Sequence, residues 1–411
     1  MQSHGAPPYR VITARSAGGD LIDVALAPDD GGRMRVTAIG STTAGAYRER
    51  HLDLSDHVLL PPAADPHAHL DKALSWEDLT PAVGDLDAAI ECWRRGVDVF
   101  DETDFHRRAR AAALLMLTRG TTAVRTHVDV LAGDDPYRGI RAIDRVRREL
   151  ASVMAIEIVA LPLPGTPSEV VLGALDAGAD LVGGAPHIAE DPATEVAHLI
   201  RLAESRGVGV DLHTDEFLIG DHMTIGTFAE LVAGWPADRT RTAGHCCRSS
   251  TMEPEELSQT VKALRTSGIS VVTLPITNLY LQGRVPPGSG PRGIAPIDEL
   301  VRGGVLVAAG ADNIRDPFNP MGRGDALETA SLLVTAAHQT PDTALELVTT
   351  AARAVLGLEP AGPAVGALAD FMAVRAANQV EAMAAAPDDR VVIVDGRVVS
   401  RTESTTWTAI A

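Results

Sequence analysis

The sequence predicts an α/β protein: a distorted (β/α)8 TIM barrel with a small β-sandwich domain formed by the N- and C-terminal segments. Three observations carry this prediction. Between about Leu59 and Pro360, eight β-type runs alternate with amphipathic helical stretches, and such alternation demands parallel strands. Eight repeats in about 250 to 300 residues match the size of a closed barrel. Both ends of the chain instead read as short strands and turns, with too few strands at either end to be stable alone, so the two ends are expected to pair.

Taken in order, Arg10–Ala14, Leu21–Leu26 and Met34–Ile39 are short strands punctuated by Gly-Gly pairs. The barrel runs are Val58–Asp65, Thr121–Val128, Val153–Leu161, Leu181–Pro186, Val208–His213, Thr240–His245, Ile269–Pro275 and Val305–Asp312. Helices are expected over Asp104–Thr118, Tyr137–Ala151, Ser168–Ala177, Thr194–Ser205, Ile225–Ala233, Pro254–Ser267 and Ile297–Val301, with two more after the eighth run. At the C-terminus, Ala369–Val374 precedes a hairpin over Arg390–Val399 whose Asp395-Gly396 pair suits a two-residue turn. The expected domains are therefore 1–58 with 364–411 as a composite β unit, and 59–363 as the barrel. An open doubly wound sheet would place a Gly-rich phosphate loop after its first strand, where this chain has His67-Ala68-His69.

Composition narrows the function classes. Lys and Arg total 36 against 55 Asp and Glu, a formal charge of −19 that opposes phosphate backbones and anionic membranes. No nucleic-acid or membrane partner is expected. The longest apolar runs, such as Gly304–Ala311, are too short to cross a bilayer, and Met1–Arg10 lacks a hydrophobic signal core. Cys92, Cys246 and Cys247 offer neither a disulfide framework nor CxxC spacing, which fits a reducing, cytoplasmic setting and thiols that pack or line a pocket.

Barrel active sites lie at the C-terminal ends of the strands, so the residues there carry the functional reading. Six of the 13 histidines, His67, His69, His127, His187, His213 and His245, fall at expected strand ends, together with Asp312. In an extended backbone, the i and i+2 imidazoles of His67 and His69 point the same way. Three neutral imidazoles and a carboxylate, here His67, His69, His213 and Asp312, suit one divalent ion, Zn2+ or Fe2+, with a position left for water. Bound water would have its pKa lowered towards neutrality, and Asp312 could accept its proton. Glu216, three residues beyond His213, is the expected proton shuttle, and His245 would orient the nucleophile or polarise the substrate. Gln282, after the seventh run, is expected to face the substrate. Arg125, His127 and Asp129 read as a buried charge network near the barrel mouth, His187 as a donor behind the ligands, and Lys72 as the partner of a nearby carboxylate.

These residues resemble the amidohydrolase superfamily and, within it, the cytosine deaminase branch. The resemblance rests on Pro66-His67-Ala68-His69-Leu70-Asp71-Lys72, Val124 to Val130, Gly178 to Gly183, Asp211-Leu212-His213-Thr214-Asp215-Glu216, Gly244-His245, Leu281-Gln282-Gly283-Arg284, and Ala311-Asp312-Asn313 followed by Asp316-Pro317-Phe318. It implies a mononuclear metal, hydrolytic removal of an amine from an amidine-like carbon, and an assembly of identical chains. It also implies that His67, His69, His213 and Asp312 bind metal and that Glu216 and His245 are catalytic. Three departures bear on substrate. Relatives that deaminate cytosine carry Gln in the loop after strand three, a second Asp after the metal Asp, and a nearby Trp; this chain has Leu163, Asn313 and Phe318. An amide edge facing Leu163 would cost roughly 1 to 3 kcal/mol. The expected activity is therefore deamination of a small nitrogen heterocycle or cyclic amidine other than cytosine, with amide or cyclic-amide hydrolysis and a non-catalytic barrel scaffold as alternatives.

Overall fold

The structure is a computed structural model and describes residues 7–41, 50–79, 81, 84–284 and 290–409. The first six residues of the Met1–Arg10 stretch thus lie outside the described residues. Strands β1 (Val11–Arg15), β2 (Leu21–Pro28), β3 (Met34–Ser41) and β4 (His51–Leu60) open the chain. The strands β5 (Ala63–Ala68), β6 (Thr121–Val130), β7 (Ala155–Pro162), β8 (Leu181–Gly184), β9 (Val210–Thr214), β10 (Arg241–His245), β11 (Ser270–Thr273) and β12 (Val307–Ala309) follow, separated by helices. Strands β13 (Phe371–Arg375), β14 (Arg390–Val394) and β15 (Arg397–Thr402) close it.

The middle eight strands pair in chain order and in parallel, from β5 through β12. Between the first and last of them, the seam is stitched by the backbone beyond the regular strands. Ala68 forms a parallel bridge with Asp312, Asp312 N donates to His67 O at 3.0 Å, and His69 N donates to Asp312 O at 3.1 Å. Asp65 reinforces the seam from below, its carboxylate accepting from His67 N and Ala311 N, each at 3.1 Å. Burial pushes the pKa of Asp65 up to about 7 against these two donors.

The terminal segments meet, as expected, in one seven-stranded sheet of order β15-β14-β13-β4-β1-β2-β3. β4 runs parallel to β1 and antiparallel to β13, so N- and C-terminal strands are neighbours at its centre. Ile12, Leu54, Phe371 and Ile393 form its fully buried core. The β14–β15 turn places Asp395 at φ 49° and Gly396 at φ 69°, the left-handed pair that a tight hairpin requires.

Two differences from the sequence reading matter. The single run Val58–Asp65 is two strands, because Pro61 and Pro62 have no N–H to donate and break the ladder. Leu59 and Leu60, expected in the barrel, pair instead with β13. Among the helices not anticipated, two bear on the site: Leu86–Gly96, capped by the Asp85 carboxylate on Ala88 N, and Pro275–Leu281 directly after β11. Both stand over the C-terminal mouth of the barrel. Among the described residues, no helix is long and apolar enough to cross a membrane.

A buried ion pair ties the sheet to the barrel. Arg390 on β14 is fully buried and reaches Asp325 at 2.8 and 2.7 Å and Arg119 O at 2.7 Å. Asp325 also caps the helix Ala326–Ala337 through Leu327 N. Arg390→Met should therefore leave a buried carboxylate short of its main partner and lower stability by about 3 to 5 kcal/mol, read from the denaturant midpoint. Adding Asp325→Asn to that variant should recover part of the loss, since the uncompensated charge is then gone.

Candidate active site

Four side chains from three elements converge at the barrel mouth. His67 and His69 rise from the end of β5, His213 from β9, and Asp312 from the turn after β12. His69 Nε2 lies 3.2 Å from His213 Nε2 and 3.3 Å from Asp312 Oδ1, which is 3.7 Å from His67 Nε2. Tetrahedral bonds of about 2.0 to 2.1 Å place ligand atoms about 3.4 Å apart; His67, His69 and Asp312 lie close enough to hold one metal ion, with His213 beside His69. Both ring nitrogens of His67, Nδ1 of His213 and both oxygens of Asp312 are buried with no hydrogen-bond partner. Buried polar atoms are almost always satisfied, and His67 Nε2 and the Asp312 oxygens, buried together without a partner, are such as a cation would satisfy. Burial, with the neighbouring imidazoles, holds His67 and His213 well below the usual pKa and hence neutral, the form that ligates; burial and the Lys72 charge do the same for His69.

Backbone strain accompanies this placement. Asp215, His245 and Asp312 sit at φ 51°, 65° and 59°, in the left-handed region that costs a non-glycine residue about 1 to 3 kcal/mol. Each marks a sharp turn off a strand end. Asp215 offsets its strain by accepting from Thr224 N, Thr224 Oγ1 and Ile225 N, which anchors the start of the helix Ile225–Val232 and points the next residue, Glu216, inward.

Glu216 and His245 lie together beside the cluster. Glu216 Oε1 is 3.3 Å from His245 Nδ1, and both residues are buried. Burial and the nearby Asp312 charge raise the Glu216 pKa well above the usual carboxylate range, so the carboxyl readily holds a proton. Burial pushes His245 down to about 3, so it is neutral. The helix Pro275–Leu281 supplies two supports that the sequence reading did not identify. Asn278 Nδ2 lies 3.0 Å from His245 Nδ1 and 3.4 Å from Glu216 Oε1. Gln282 Nε2 donates to Glu216 O at 3.0 Å and is not among the residues that line the cavity. Gln282 was expected to face substrate; its amide is spent on the backbone of the Glu216 loop instead.

The cluster opens into a cavity of about 490 Å³, a typical small-molecule size. Leu163, Asn313 and Phe318 line it, as do His69, His213, Glu216, His245 and Asp312. Asn313 is held by its amide on Asp316 Oδ2 at 2.9 Å. One wall is the unanticipated helix Leu86–Gly96, which contributes Ile90 and Trp93. The signal for it was the apolar spacing of Ala89 and Trp93, one helical turn apart. Trp93 Nε1 donates to Asp129 Oδ2 at 2.7 Å, and Lys72 Nζ lies 2.6 Å from Asp129 Oδ1 and 3.3 Å from Asp71 Oδ2. Lys72 thus pairs with carboxylates, and their charges outweigh burial in raising its pKa.

The expected Arg125, His127 and Asp129 network is split by depth. Asp129 belongs to the mouth, whereas Arg125 is fully buried below, bonded to Glu157, to Asp211 at 2.9 Å and to Thr242 at 3.0 Å. His127 stacks on His67 with ring centroids 4.0 Å apart, and its Nε2 is 3.5 Å from Asp211 Oδ1. His67, His127 and Asp211 also lie close enough to hold a metal ion, but the Arg125 charge on Asp211 disfavours a cation there. His187 Nδ1 is 3.1 Å from His213 O and so bears on His213 through its backbone. Cys246 and Cys247 are buried and line none of the cavity.

A family model described as the amidohydrolase family matches residues 89–400. The chain is 32% identical to a pterin deaminase of Rhizobium rhizogenes over 361 residues, which cover 85% of this chain and 82% of that protein. It is similar to the crystal structure of 5-methylcytosine deaminase from Klebsiella pneumoniae bound to 5-fluorocytosine, with a TM-score of 0.86 at 28% identity, covering 97% of this chain and 99% of that one. It is also similar to N-isopropylammelide isopropylaminohydrolase from Burkholderia multivorans, with a TM-score of 0.79 at 27% identity over 95% and 98% of the two chains.

His67 fits only because residue 244 has no side chain: a Cβ there would lie 2.8 Å from His67 Cε1 and 2.9 Å from Nδ1. Gly244→Ala should therefore tilt His67 and weaken metal retention by about 10- to 100-fold, the range seen when a ligand's support is lost. Elemental analysis after dialysis against graded chelator measures it.

Proposed function

Since the chain belongs to the amidohydrolase family, we propose that it hydrolytically deaminates an amino-substituted nitrogen heterocycle, with His67, His69, His213 and Asp312 as the ligands of a divalent metal. The observation that carries this reading is the convergence of those four ligand atoms with the Glu216–His245 pair in the wall of one cavity. A divalent ion in that set, zinc or ferrous iron at one per chain, would lower the pKa of water towards neutrality and supply a hydrolytic nucleophile.

The protein's own groups do the rest. Asp312 takes up the proton that the attacking water loses. Glu216, buried and readily protonated, gives its proton to the ring nitrogen beside the attacked carbon; Asp312 then passes the water's proton to the departing amine, and the remaining hydroxyl proton of the adduct returns to Glu216 as the oxo group forms. Neutral His245 orients the developing oxygen by a hydrogen bond. The products are ammonia and the oxo-substituted ring.

On the substrate, the reading departs from cytosine. Leu163 offers no hydrogen bond where an amide edge would need one, and Trp93 and Phe318 supply flat apolar walls. The cavity volume of about 490 Å³ suits a fused two-ring system better than one pyrimidine. The pterin deaminase likeness points the same way. A net charge of −19 speaks against a nucleic-acid substrate. Within this reading, residues 59–363 are the catalytic unit and 1–58 with 364–411 the flanking β unit.

Two experiments test it. On a panel of an aminopteridine, an aminotriazine and cytosine, ammonia release should give the aminopteridine a kcat/KM at least about 10-fold above cytosine; a preference for cytosine, or no ammonia from any metal-loaded sample, contradicts the reading. Separately, His213→Ala should lose metal, while Glu216→Gln should keep it and lose about 10²- to 10⁴-fold in kcat. A Glu216→Gln protein at the parent rate would remove Glu216 from the chemistry.

A further inference from the structure

We propose that Asn278 is a positioning residue that fixes His245 as the tautomer protonated at Nε2 and anchors Glu216 by one oxygen. This rests on the catalytic reading of Glu216 and His245 given above, and it follows from the polarity of three atoms.

The side chain of Asn278 is completely buried, in a seven-residue helix directly after β11. Its terminal NH2 faces two neighbours at once, His245 Nδ1 at 3.0 Å and Glu216 Oε1 at 3.4 Å. Glu216 Oε1 and His245 Nδ1 are themselves 3.3 Å apart, and with the Glu216 proton on Oε2, the oxygen left for substrate, Oε1 is an acceptor, so the amide turns its NH2 and not its carbonyl to Glu216. The same NH2 then meets His245 Nδ1. Two donors cannot face each other at 3.0 Å, so Nδ1 carries the lone pair and the imidazole proton sits on Nε2. His245 Nε2 is itself buried and has no protein partner, which leaves its N–H for an atom of the reaction. A packing role is a poorer account: Asn278 Oδ1 is also buried without a partner, and leucine would fill the same space without stranding an acceptor.

Gln282 works from the same helix end. Its amide holds Glu216 O at 3.0 Å while Asn278 holds Oε1, so one short helix grips the Glu216 residue at both backbone and side chain. A proton-moving carboxyl gains from this, because one oxygen is fixed and the other is left for the substrate.

Two variants separate positioning from packing. Asn278→Asp keeps the shape but puts an acceptor beside Nδ1, which draws the imidazole proton to Nδ1. The expected result is a kcat lower by about 100-fold or more, with KM within about 3-fold. Metal content and thermal unfolding should match the parent. Asn278→Leu should show the same split; were it to unfold, the isosteric Asp variant decides alone. The tautomer is read directly on zinc-loaded, 15N-histidine-labelled protein, with the His245 signals assigned by their loss in His245→Gln. In the parent, Nδ1 should appear as an unprotonated imidazole nitrogen, and in Asn278→Asp as a protonated one. A protonated Nδ1 in the parent, or an Asn278→Asp kcat within about 3-fold of the parent, overturns the proposal. The spectrum needs no turnover, so a chain that releases no ammonia would refute the deaminase reading while the tautomer result still stands or falls by itself.

Discussion

The site depends on how the first and eighth strands are joined. His67 and His69 belong to one end of the barrel sheet and Asp312 to the other, some 240 residues later in the chain. They become neighbours only because Asp312 exchanges backbone hydrogen bonds with His67 and His69, and because Asp65 clamps His67 N to Ala311 N beneath them. Closure of the sheet and assembly of the His67, His69 and Asp312 cluster are thus one event. A carboxylate kept at the seam at some cost in burial, and an aspartate held at positive φ, are the strain through which the geometry is maintained.

The electrostatics of the mouth follow from the same closure. Asp312 and Glu216 are both buried; burial raises the pKa of each, and the Asp312 charge adds to the rise at Glu216. Four neutral histidines contribute no charge to compensate. In the proposed reading, a cation held by the ligand set would relieve the repulsion between the two carboxylates and leave Glu216 to exchange protons. Below the mouth, Arg125 pairs with Asp211, and at the rim Lys72 pairs with Asp129 and Asp71, while Asp65 and Asp215 are held by hydrogen-bond donors instead. The wall that faces substrate is left largely apolar, with Leu163, Trp93 and Phe318 meeting flat surfaces and few polar groups fixing orientation.

Much of this was legible in the sequence because of how barrels are built. Chemistry at strand ends imposes a His or Asp on the last residues of short apolar runs, and the run-then-histidine pattern survives even where the strand bounds drift by a residue or two. The strands themselves were legible because parallel buried strands read as continuous apolar runs. The helices Leu86–Gly96 and Pro275–Leu281 were not, since one is short of apolar residues and the other is a seven-residue turn whose function lies in Asn278 and Gln282 rather than in a periodic face. Gln282 was placed in the loop where the structure has it, with its amide on Glu216 O: sequence order locates a side chain on a loop but not which way its amide turns. Pro61-Pro62 was the visible signal for the break between β4 and β5 and outweighs the apolar run that spans it.

The central claim is that one divalent ion sits among His67, His69, His213 and Asp312. Anomalous diffraction from a crystal of the metal-loaded protein tests it most directly. One peak within bonding distance of all four side chains is the predicted result. A peak centred on His67, His127 and Asp211, or no peak after reconstitution with zinc and with ferrous iron, would contradict it.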